Sequence, residues 1–438
     1  MRVVLLSGGS GKRLWPLSND MRSKQFIPFL MGPNGPESMV QRVFRQIRAA
    51  VPDAEVTVCT GKRQVSALVN QLGGGASLCV EPYRRDTFLA IALVAAYLRY
   101  EKGAGEEEAV VVCPVDPYVE SGYFETLAEL SRLAGEGAAN LLLMGIEPTY
   151  PSEKYGYILP ETAERFSAVR TFREKPDAET AAEYIAQGGL WNAGVFAFRL
   201  GWLLEAARKI VSFTDYRDLY ARYETLEPIS FDYAVVEKEK NISVLRYAGE
   251  WRDVGTWNTL AEVMPEASFG KAMLDGTCEN THVINETGLP ILCMGCRNMI
   301  VAAGSDGILV ADKGQSSYLK PYAEQMDEPV RYAEKSWGSY RVLDAQPGAL
   351  TVLVTLNPGH RMNYHSHKYR DEVWTVISGE GWTMVDGMKQ PVRTGDVVSM
   401  AAGCRHTVIA DTQLRIIEVQ TGEAIDVNDK EKHGLETP

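Results

Sequence analysis

The chain reads as an α/β domain over residues 1–262, a short β connector over 263–329 and a C-terminal all-β barrel over 330–438. Three observations carry this. Buried-strand runs alternate with helical spacings through the first part, the pattern of a mainly parallel sheet with helices on both faces. The texture then changes to short β-type runs with turns. Finally, four of the six histidines lie between His360 and His406, in a stretch of short strands punctuated by Asn357-Pro-Gly359, Ser378-Gly379, Asp386-Gly387 and Thr394-Gly-Asp396. Frequent turns between short strands indicate a small barrel.

The first element is the apolar run Arg2 to Leu6, which enters the glycine-rich loop Ser7-Gly8-Gly9-Ser10-Gly11-Lys12-Arg13-Leu14-Trp15-Pro16-Leu17; Ser23-Lys24-Gln25-Phe26-Ile27-Pro28 follows. Glycines without a Cβ let backbone N–H groups approach a phosphate, and Arg13 and Lys24 add positive charge at the loop's edge. Two commoner phosphate loops are excluded. A P-loop needs glycine where Leu6 stands and Ser or Thr where Arg13 stands, and a dinucleotide fingerprint needs glycine at Leu14.

Helical spacing then predicts a helix over Met39 to Ala49 and another over Thr87 to Tyr100; Glu55 to Cys59 and Ala109 to Cys113 read as buried strands. Ligands in such sheets sit at the carboxyl ends of the strands. Asp116 follows Val111-Val-Cys-Pro-Val there, as either a turn former or a metal ligand; Asp253 stands in Glu250-Trp-Arg-Asp253-Val-Gly-Thr-Trp257. Glu174 and Lys175 precede Pro176 and Asp177, so spacing alone also allows a solvated pair at a helix start.

The opening run resembles the N-terminal signature of nucleotide-diphospho-sugar pyrophosphorylases, most closely the mannose-1-phosphate guanylyltransferases, with Lys12 in place of the usual Thr. Further matches come in the family order: Glu81-Pro-Tyr-Arg-Arg-Asp86-Thr, with Asp86 where the family has Asn; Val-Asp116, with Pro117 where the family has His; Tyr155-Gly156-Tyr-Ile; Phe172-Arg-Glu174-Lys175-Pro; Trp191-Asn192-Ala-Gly; Ser230 to Lys238; and Trp251-Arg-Asp253-Val-Gly-Thr-Trp. The resemblance implies a Rossmann-like nucleotidyltransferase domain in which a sugar-1-phosphate oxygen attacks the α-phosphate of GTP and releases pyrophosphate. It implies catalysis by Arg13, Lys24 and Lys175, and nucleotide binding at Leu6, Gly8, Gly9, Gly11, Glu81 and Asp116. Gly156, Glu174, Lys175 and Asn192 would hold the sugar phosphate, and Asp116 and Asp253 a Mg2+, for which hard oxygen ligands are suited. Positioning and charge neutralisation would supply most of the rate.

In the connector, Thr281 to Ile284, Met299 to Ala303 and Gly307 to Ala311 are strand-like, and no chemistry is assigned to them; His282 reads as structural. Asp306 to Asp312 resembles the segment joining the halves of bifunctional guanylyltransferase–isomerases, and Lys320 to Val330 reads as a linker or exposed helix.

In the last domain His365-Ser-His367 has period two, so both imidazoles leave one face of a strand. With Glu372, Gly395-Asp396 and His406 this is the cupin pattern. Three imidazoles and a carboxylate suit Zn2+, Mn2+, Fe2+, Co2+ or Ni2+, and ligand type alone does not choose among them; a metal-free barrel is the alternative. Trp337-Gly-Ser-Tyr340, Pro358-Gly359, Ile377-Ser-Gly379 and Ile417-Glu-Val-Gln-Thr-Gly-Glu423 resemble type II mannose-6-phosphate isomerase domains, which carry an essential Arg directly after the third His of their motif. Here Lys368 stands at that place, with Arg370 beyond it as the other possible isomerase residue, and lysine lacks the two-pronged grip of a guanidinium. The resemblance implies interconversion of mannose-6-phosphate and fructose-6-phosphate through an enediol; the alternative is a cupin that only binds or regulates.

Composition frames these readings. A chain of 438 residues with 45% hydrophobic and 23% charged residues is an ordinary multi-domain globular protein. A formal net charge of −12 argues against a nucleic-acid partner, so anionic substrates must be met by local Lys and Arg. The absence of an apolar span of about 18 residues and of an export signal argues against a membrane partner. Seven scattered cysteines fit a reducing cytoplasm, with Cys293-Met-Gly-Cys296 as incidental strand cysteines. A homo-oligomer is left open, as are the cupin metal (Zn2+, Co2+ or Mn2+) and the glycoconjugate or polysaccharide the product feeds.

Overall fold

The computed structural model describes residues 1–9, 11–326, 329–423, 425–426 and 429–434. The chain divides into two compact units: Met1–Gly9, Gln25–Val65 and Gln71–Pro265 form the first, and Ser10–Lys24, Ser66–Asn70 and Glu266–Pro438 the second.

The first unit is an α/β domain around a nine-stranded sheet. Its strands are β1 (Arg2–Ser7), β2 (Glu55–Gly61), β3 (Ser77–Glu81), β4 (Ala109–Pro114), β5 (Leu141–Ile146), β6 (Tyr157–Pro160), β7 (Phe166–Arg173), β8 (Leu190–Arg199) and β9 (Ile242–Tyr247). They lie in the order β3-β2-β1-β4-β8-β5-β9-β7-β6. The first four are parallel, as expected from apolar runs buried on both faces. The remainder is mixed rather than parallel, because β8 runs antiparallel to both β4 and β5. Only β5 and β9 pair parallel there.

The helices follow from capping and burial. Met39–Ala50 opens on Ser38, whose side chain and that of Gln41 form a reciprocal capping box. Asp86–Tyr100 is buried from Phe88 through Ala96, because it packs on the sheet and beneath the helices Leu200–Ile210 and Tyr216–Arg222. That explains its apolar character on every side. β1, β3 and β4 deliver Ser7, Glu81 and Pro114 to the carboxyl ends of the parallel strands, the ligand side of such a sheet.

The second unit contains the loop from residue 11 to Lys24, the connector strands and the barrel. The connector pairs Ser268–Phe269, His282–Asn285 and Met299–Gly304 in parallel, and closes with the antiparallel hairpin Met299–Gly304/Gly307–Asp312. A second pair, Ala272–Leu274 with Ile291–Cys293, lies alongside. All seven cysteines are free thiols. The predicted linker contains the helix Lys320–Gln325; Asp327 and Glu328 lie outside the described residues.

The barrel is built from a six-stranded and a five-stranded sheet. Its core draws Val352, Val354, Trp374 and Ile416 from the first and Val392, Val408 and Ala410 from the second. Among the described residues, no helix is long and apolar enough to cross a membrane.

Candidate functional site

In the first unit, the end of β1 is pinned from three sides. Ser7 accepts a hydrogen bond at Oγ from Gln25 Nε2 (3.1 Å), and its carbonyl accepts one from Thr60 Oγ1 (3.1 Å). The Gly9 carbonyl accepts from Gln64 Nε2 (3.3 Å) and Arg84 Nη2 (3.1 Å). A Cβ at Gly8 would stand 3.6 Å from Glu81 Oε2, so Gly8 and Glu81 are neighbours. Glu81 is buried and accepts from the Tyr223 hydroxyl at 2.6 Å. Burial raises its pKa. Asp86 has φ +65° and accepts from the Thr87 N–H at 2.7 Å. Asn and Asp tolerate this left-handed conformation best among residues with a side chain, so the exchange at Asp86 preserves the backbone.

A second group of side chains comes from four segments of the mixed half of the sheet. Gly156 leads into β6, Glu174 and Lys175 follow β7, Asn192 lies in β8, and Asp232 starts the π-helix Asp232–Val236. A Cβ at Gly156 would lie 2.5 Å from Glu174 Oε2 and 3.5 Å from Asn192 Cβ, so the first three converge. Asn192 Nδ2 donates to Asp232 Oδ1 at 2.8 Å. Lys175 Nζ meets Glu174 Oε1 at 2.7 Å from a backbone held at φ +44°, and the Glu174 N–H donates to Glu237 at 3.1 Å. A lysine in this region is strained, and such strain concentrates at binding sites. Burial first, and then the charge of Glu174, push Asp232 up to about 7.

The two predicted metal acids meet through a small two-stranded sheet. Pro117–Val119 pairs antiparallel with Trp251–Asp253, and the register sets Asp253 opposite Pro117, beside Asp116. Gly255 lets the chain turn closely past the Asp253 carboxylate: a Cβ there would sit 3.1 Å from Oδ1. Two acids from segments remote in sequence thus stand at neighbouring backbone positions, and their oxygen donors are of the kind that suits a hard divalent cation. Arg13, exposed in the 3-10 turn Gly11–Leu14, and Lys24, half-buried at the start of Lys24–Phe26, belong to the second unit.

In the barrel, His365 and His406 are paired across neighbouring strands, and the ligand atoms of His365, His367 and His406 lie within 4.8 Å of one another. All three rings are buried, and each is oriented by a backbone carbonyl. Nδ1 of His365 faces Asn363 O (2.6 Å), that of His367 faces Asp429 O (2.8 Å), and that of His406 faces Cys404 O (3.0 Å). A ring that donates from Nδ1 turns an Nε2 lone pair to the centre. Glu372 Oε1 lies 3.1 Å from His367 Nε2 and Oε2 lies 3.3 Å from His406 Nε2. Lone pairs facing a carboxylate repel unless a cation lies between them, and buried His406 Nε2 has no hydrogen-bond partner among the described residues. The donor set therefore fits a divalent transition metal. Burial, then the charge of Lys430, hold His365 down to about 3, which keeps it neutral as a ligand must be.

This centre opens on a cavity of about 560 Å3 whose wall includes Lys335, Arg370, Glu418, Gln420 and Lys430. Arg370, 8% exposed, bonds Glu372 Oε1 through Nε (3.1 Å), His367 Nε2 through Nη2 (3.0 Å) and the Asp426 carbonyl through Nη1 (3.0 Å). Burial, and next the charge of Glu372, push Glu418 up to about 7. Of the two possible isomerase residues, only Arg370 reaches the cavity. Lys368 is exposed and lies over the Tyr369 ring.

A nucleotidyl transferase family model matches residues 2–268, and a cupin domain model matches residues 352–420. The chain belongs to the nucleotidyl transferase family. Similarity to members of this family runs through the cupin as well. A xanthan biosynthesis protein, XanB, of Xanthomonas campestris pv. campestris is 30% identical, with 86% of this chain and 85% of that protein covered. A mannose-1-phosphate guanylyltransferase of Escherichia coli is 27% identical, with 97% and 96% covered. A solved Thermus thermophilus structure described as a mannose-1-phosphate geranyltransferase superposes with a TM-score of 0.62 at 28% identity, covering 75% of this chain and 99% of that one.

The expected fold class, an α/β nucleotidyltransferase domain with a C-terminal cupin, is the observed one. Among the site residues, the nucleotidyl transferase unit brings Gly8 to Glu81, Asp116 to Asp253, and Gly156 to Glu174 and Asn192. Sequence reasoning missed Asp232, although it lies inside a quoted motif, and Tyr223, which holds Glu81. It also assigned nothing to Lys335, Glu418 and Lys430. For these lone charged residues only the quoted run around Glu418 offered a signal.

Proposed function

We propose that this nucleotidyl transferase moves GMP from GTP to mannose-1-phosphate, yielding GDP-mannose and pyrophosphate, and that its cupin interconverts mannose-6-phosphate and fructose-6-phosphate. The convergence of Gly156, Glu174, Lys175 and Asn192 on one place, with Asp232 behind Asn192, is the observation that carries the first activity. Glu174 and Asn192 offer the acceptors and donor that a sugar's hydroxyls need, and Lys175 offers the cation for its phosphate. Asp116 and Asp253 would hold Mg2+, which neutralises phosphate charge when bound. Gly8, Gly9 and Gly11 present backbone to the nucleotide, and Arg13 and Lys24 counter its negative charge. The relative named as a mannose-1-phosphate guanylyltransferase supports the choice of base and sugar.

For the cupin, His365, His367, Glu372 and His406 would hold a divalent transition metal, which supplies a Lewis-acid charge for the sugar oxygens at C1 and C2. Arg370 grips the developing oxyanion in place of the arginine that the isomerase pattern puts at Lys368. Glu418, a buried cavity carboxylate outside the donor set, carries the proton between C1 and C2. Supply to a polysaccharide pathway agrees with the name of the xanthan biosynthesis relative.

Asp253→Asn tests the transferase. It is expected to abolish pyrophosphate release from GTP and mannose-1-phosphate with an unchanged circular dichroism spectrum; near-full turnover would remove Asp253 from the metal site. Protein loaded with Zn2+, Co2+ or Mn2+ and supplied with mannose-6-phosphate tests the cupin. Fructose-6-phosphate formation that Arg370→Ala destroys supports the isomerase. No turnover with any of the metals, beside a working transferase, makes the cupin a binding or regulatory domain.

A further inference from the structure

The connector strands bear on the signature loop. Between Arg13 and Lys24 the chain makes a turn that Asn19 ties off. Its N–H donates to the Arg22 carbonyl (2.9 Å), and its Oδ1 accepts from the N–H groups of Met21 and Arg22, both at 2.8 Å. The side-chain donors of Asn19 and Arg22 reach the connector and the strand after it. Asn19 Nδ2 donates to Asp306 Oδ2 at 2.6 Å and to the Tyr332 carbonyl at 3.3 Å. Arg22 forks onto Glu286, Nη1 to Oε2 at 2.6 Å and Nη2 to Oε1 at 3.0 Å, with its guanidinium over the Tyr332 ring.

The hairpin of the connector lies directly against the loop. A Cβ at Gly304 would come 2.7 Å from Leu17 Cδ2 and 3.0 Å from the Pro16 carbonyl, and one at Gly307 would come 2.5 Å from Trp15 Cζ2. Two glycines therefore admit the hairpin where any side chain would lift it off. Arg22 is 8% exposed and Asn19 7%. Burying a charge is costly unless a partner with matching geometry meets it, and losing one partner leaves the other charge stranded.

We infer that Glu286 and Asp306 are positioning residues for nucleotidyl transfer: by locking Arg22 and Asn19 they fix the turn that spaces Arg13 from Lys24. The inference rests on the reading of Arg13 and Lys24 as phosphate-contacting groups. A geometry error of about 1 Å in such groups costs on the order of a hundredfold in rate. The sugar contacts Gly156, Glu174 and Asn192 come from other segments, so the fault should appear in kcat and not in sugar binding.

Steady-state pyrophosphate release by the full chain, with GTP, mannose-1-phosphate and Mg2+, tests this. Glu286→Gln and Asp306→Asn are each expected to lower kcat about tenfold or more, with KM for mannose-1-phosphate unchanged. Arg22→Lys keeps the charge but loses the fork, and should fall likewise. The exchanged pair Arg22→Glu with Glu286→Arg should recover much of the loss that either single change causes. An unchanged far-ultraviolet circular dichroism spectrum serves as the check that each variant is folded. Variants with a lowered melting temperature and a wild-type kcat would make the contacts purely structural and overturn the inference alone. A wild-type chain that releases no pyrophosphate would overturn the underlying reading and this inference with it.

Discussion

Gly156 shows how much of the sugar site depends on an absent atom. Its backbone needs no special conformation. Space is what excludes a side chain, since a Cβ would lie 2.5 Å from Glu174 Oε2 and 3.0 Å from Phe172 Cζ. Glu174 has little room to yield, being 6% exposed and tethered through its N–H to Glu237. Gly156→Ala is therefore expected to displace Glu174 and weaken the sugar phosphate. Loss of one hydrogen bond to a charged group, about 1.5–3 kcal/mol, raises KM for mannose-1-phosphate about tenfold or more, with KM for GTP unchanged. Steady-state kinetics with each substrate varied would decide it, and an unaltered sugar KM would mean that Glu174 moves without consequence. Gly156, Glu174 and Asn192 were each legible in the sequence, because each sits in its own motif. Asp232 had no assigned role, because an acid before an apolar run is ordinarily a solvated turn residue; only the fold shows it half-buried against Asn192.

Asp232 owes that burial to its element. The segment Asp232–Val236 is a π-helix, a form that often marks functional positions, with Ala234, Val235 and Val236 turned into the core. The consequence is a titration. Asp232 stays protonated in the fold up to about pH 7, whereas an unfolded aspartate ionises above about pH 4. Across that window the native state binds the extra proton, so stability falls as pH rises, and the loss is complete above the folded pKa. Asp232→Asn keeps an Oδ1 acceptor for Asn192 and removes the titration. Urea unfolding at steps from pH 4.5 to 7.5 should show wild type losing stability relative to the variant as pH increases; parallel curves would show that Asp232 ionises normally. At this scale the sequence was a good guide where order is local. Apolar runs located β1, β2 and β4, and helical spacing located Met39–Ala50 and Asp86–Tyr100. It did not reveal the mixed half of the sheet. Which way β8 runs between β4 and β5 is decided by pairing between distant segments, not by the composition of Leu190–Arg199.

For the whole chain, the order of transferase and cupin was readable because each has its own texture: alternating helix and strand, then histidines among turns. The contacts of the connector were not readable. Arg22 and Glu286 are 264 residues apart and Asn19 and Asp306 are 287 apart, and no periodicity records such pairs. The cupin centre lies between these extremes, since the histidine spacing announced it while the Arg370 fork on His367 and Glu372 required the fold. That fork yields a prediction for the intact protein. In metal-stripped chain Arg370 is the cation that offsets Glu372, so the barrel keeps its fold with a weaker centre. A metal that binds only the folded state stabilises it by mass action, about 2.7 kcal/mol at a hundred times its Kd. Titrating Zn2+, Co2+ or Mn2+ into stripped protein should raise the melting temperature of the cupin transition, followed by near-ultraviolet circular dichroism of buried Trp374 against His406. His365→Ala should abolish the response, because its ring is held by Asn363 for no other donor role. Arg370→Ala should enlarge it, because the metal then no longer displaces a bound guanidinium. A melting temperature indifferent to all three metals would make this a metal-free barrel, with Arg370 as the permanent partner of Glu372, and a His365→Ala variant that still responds would remove His365 from the donor set.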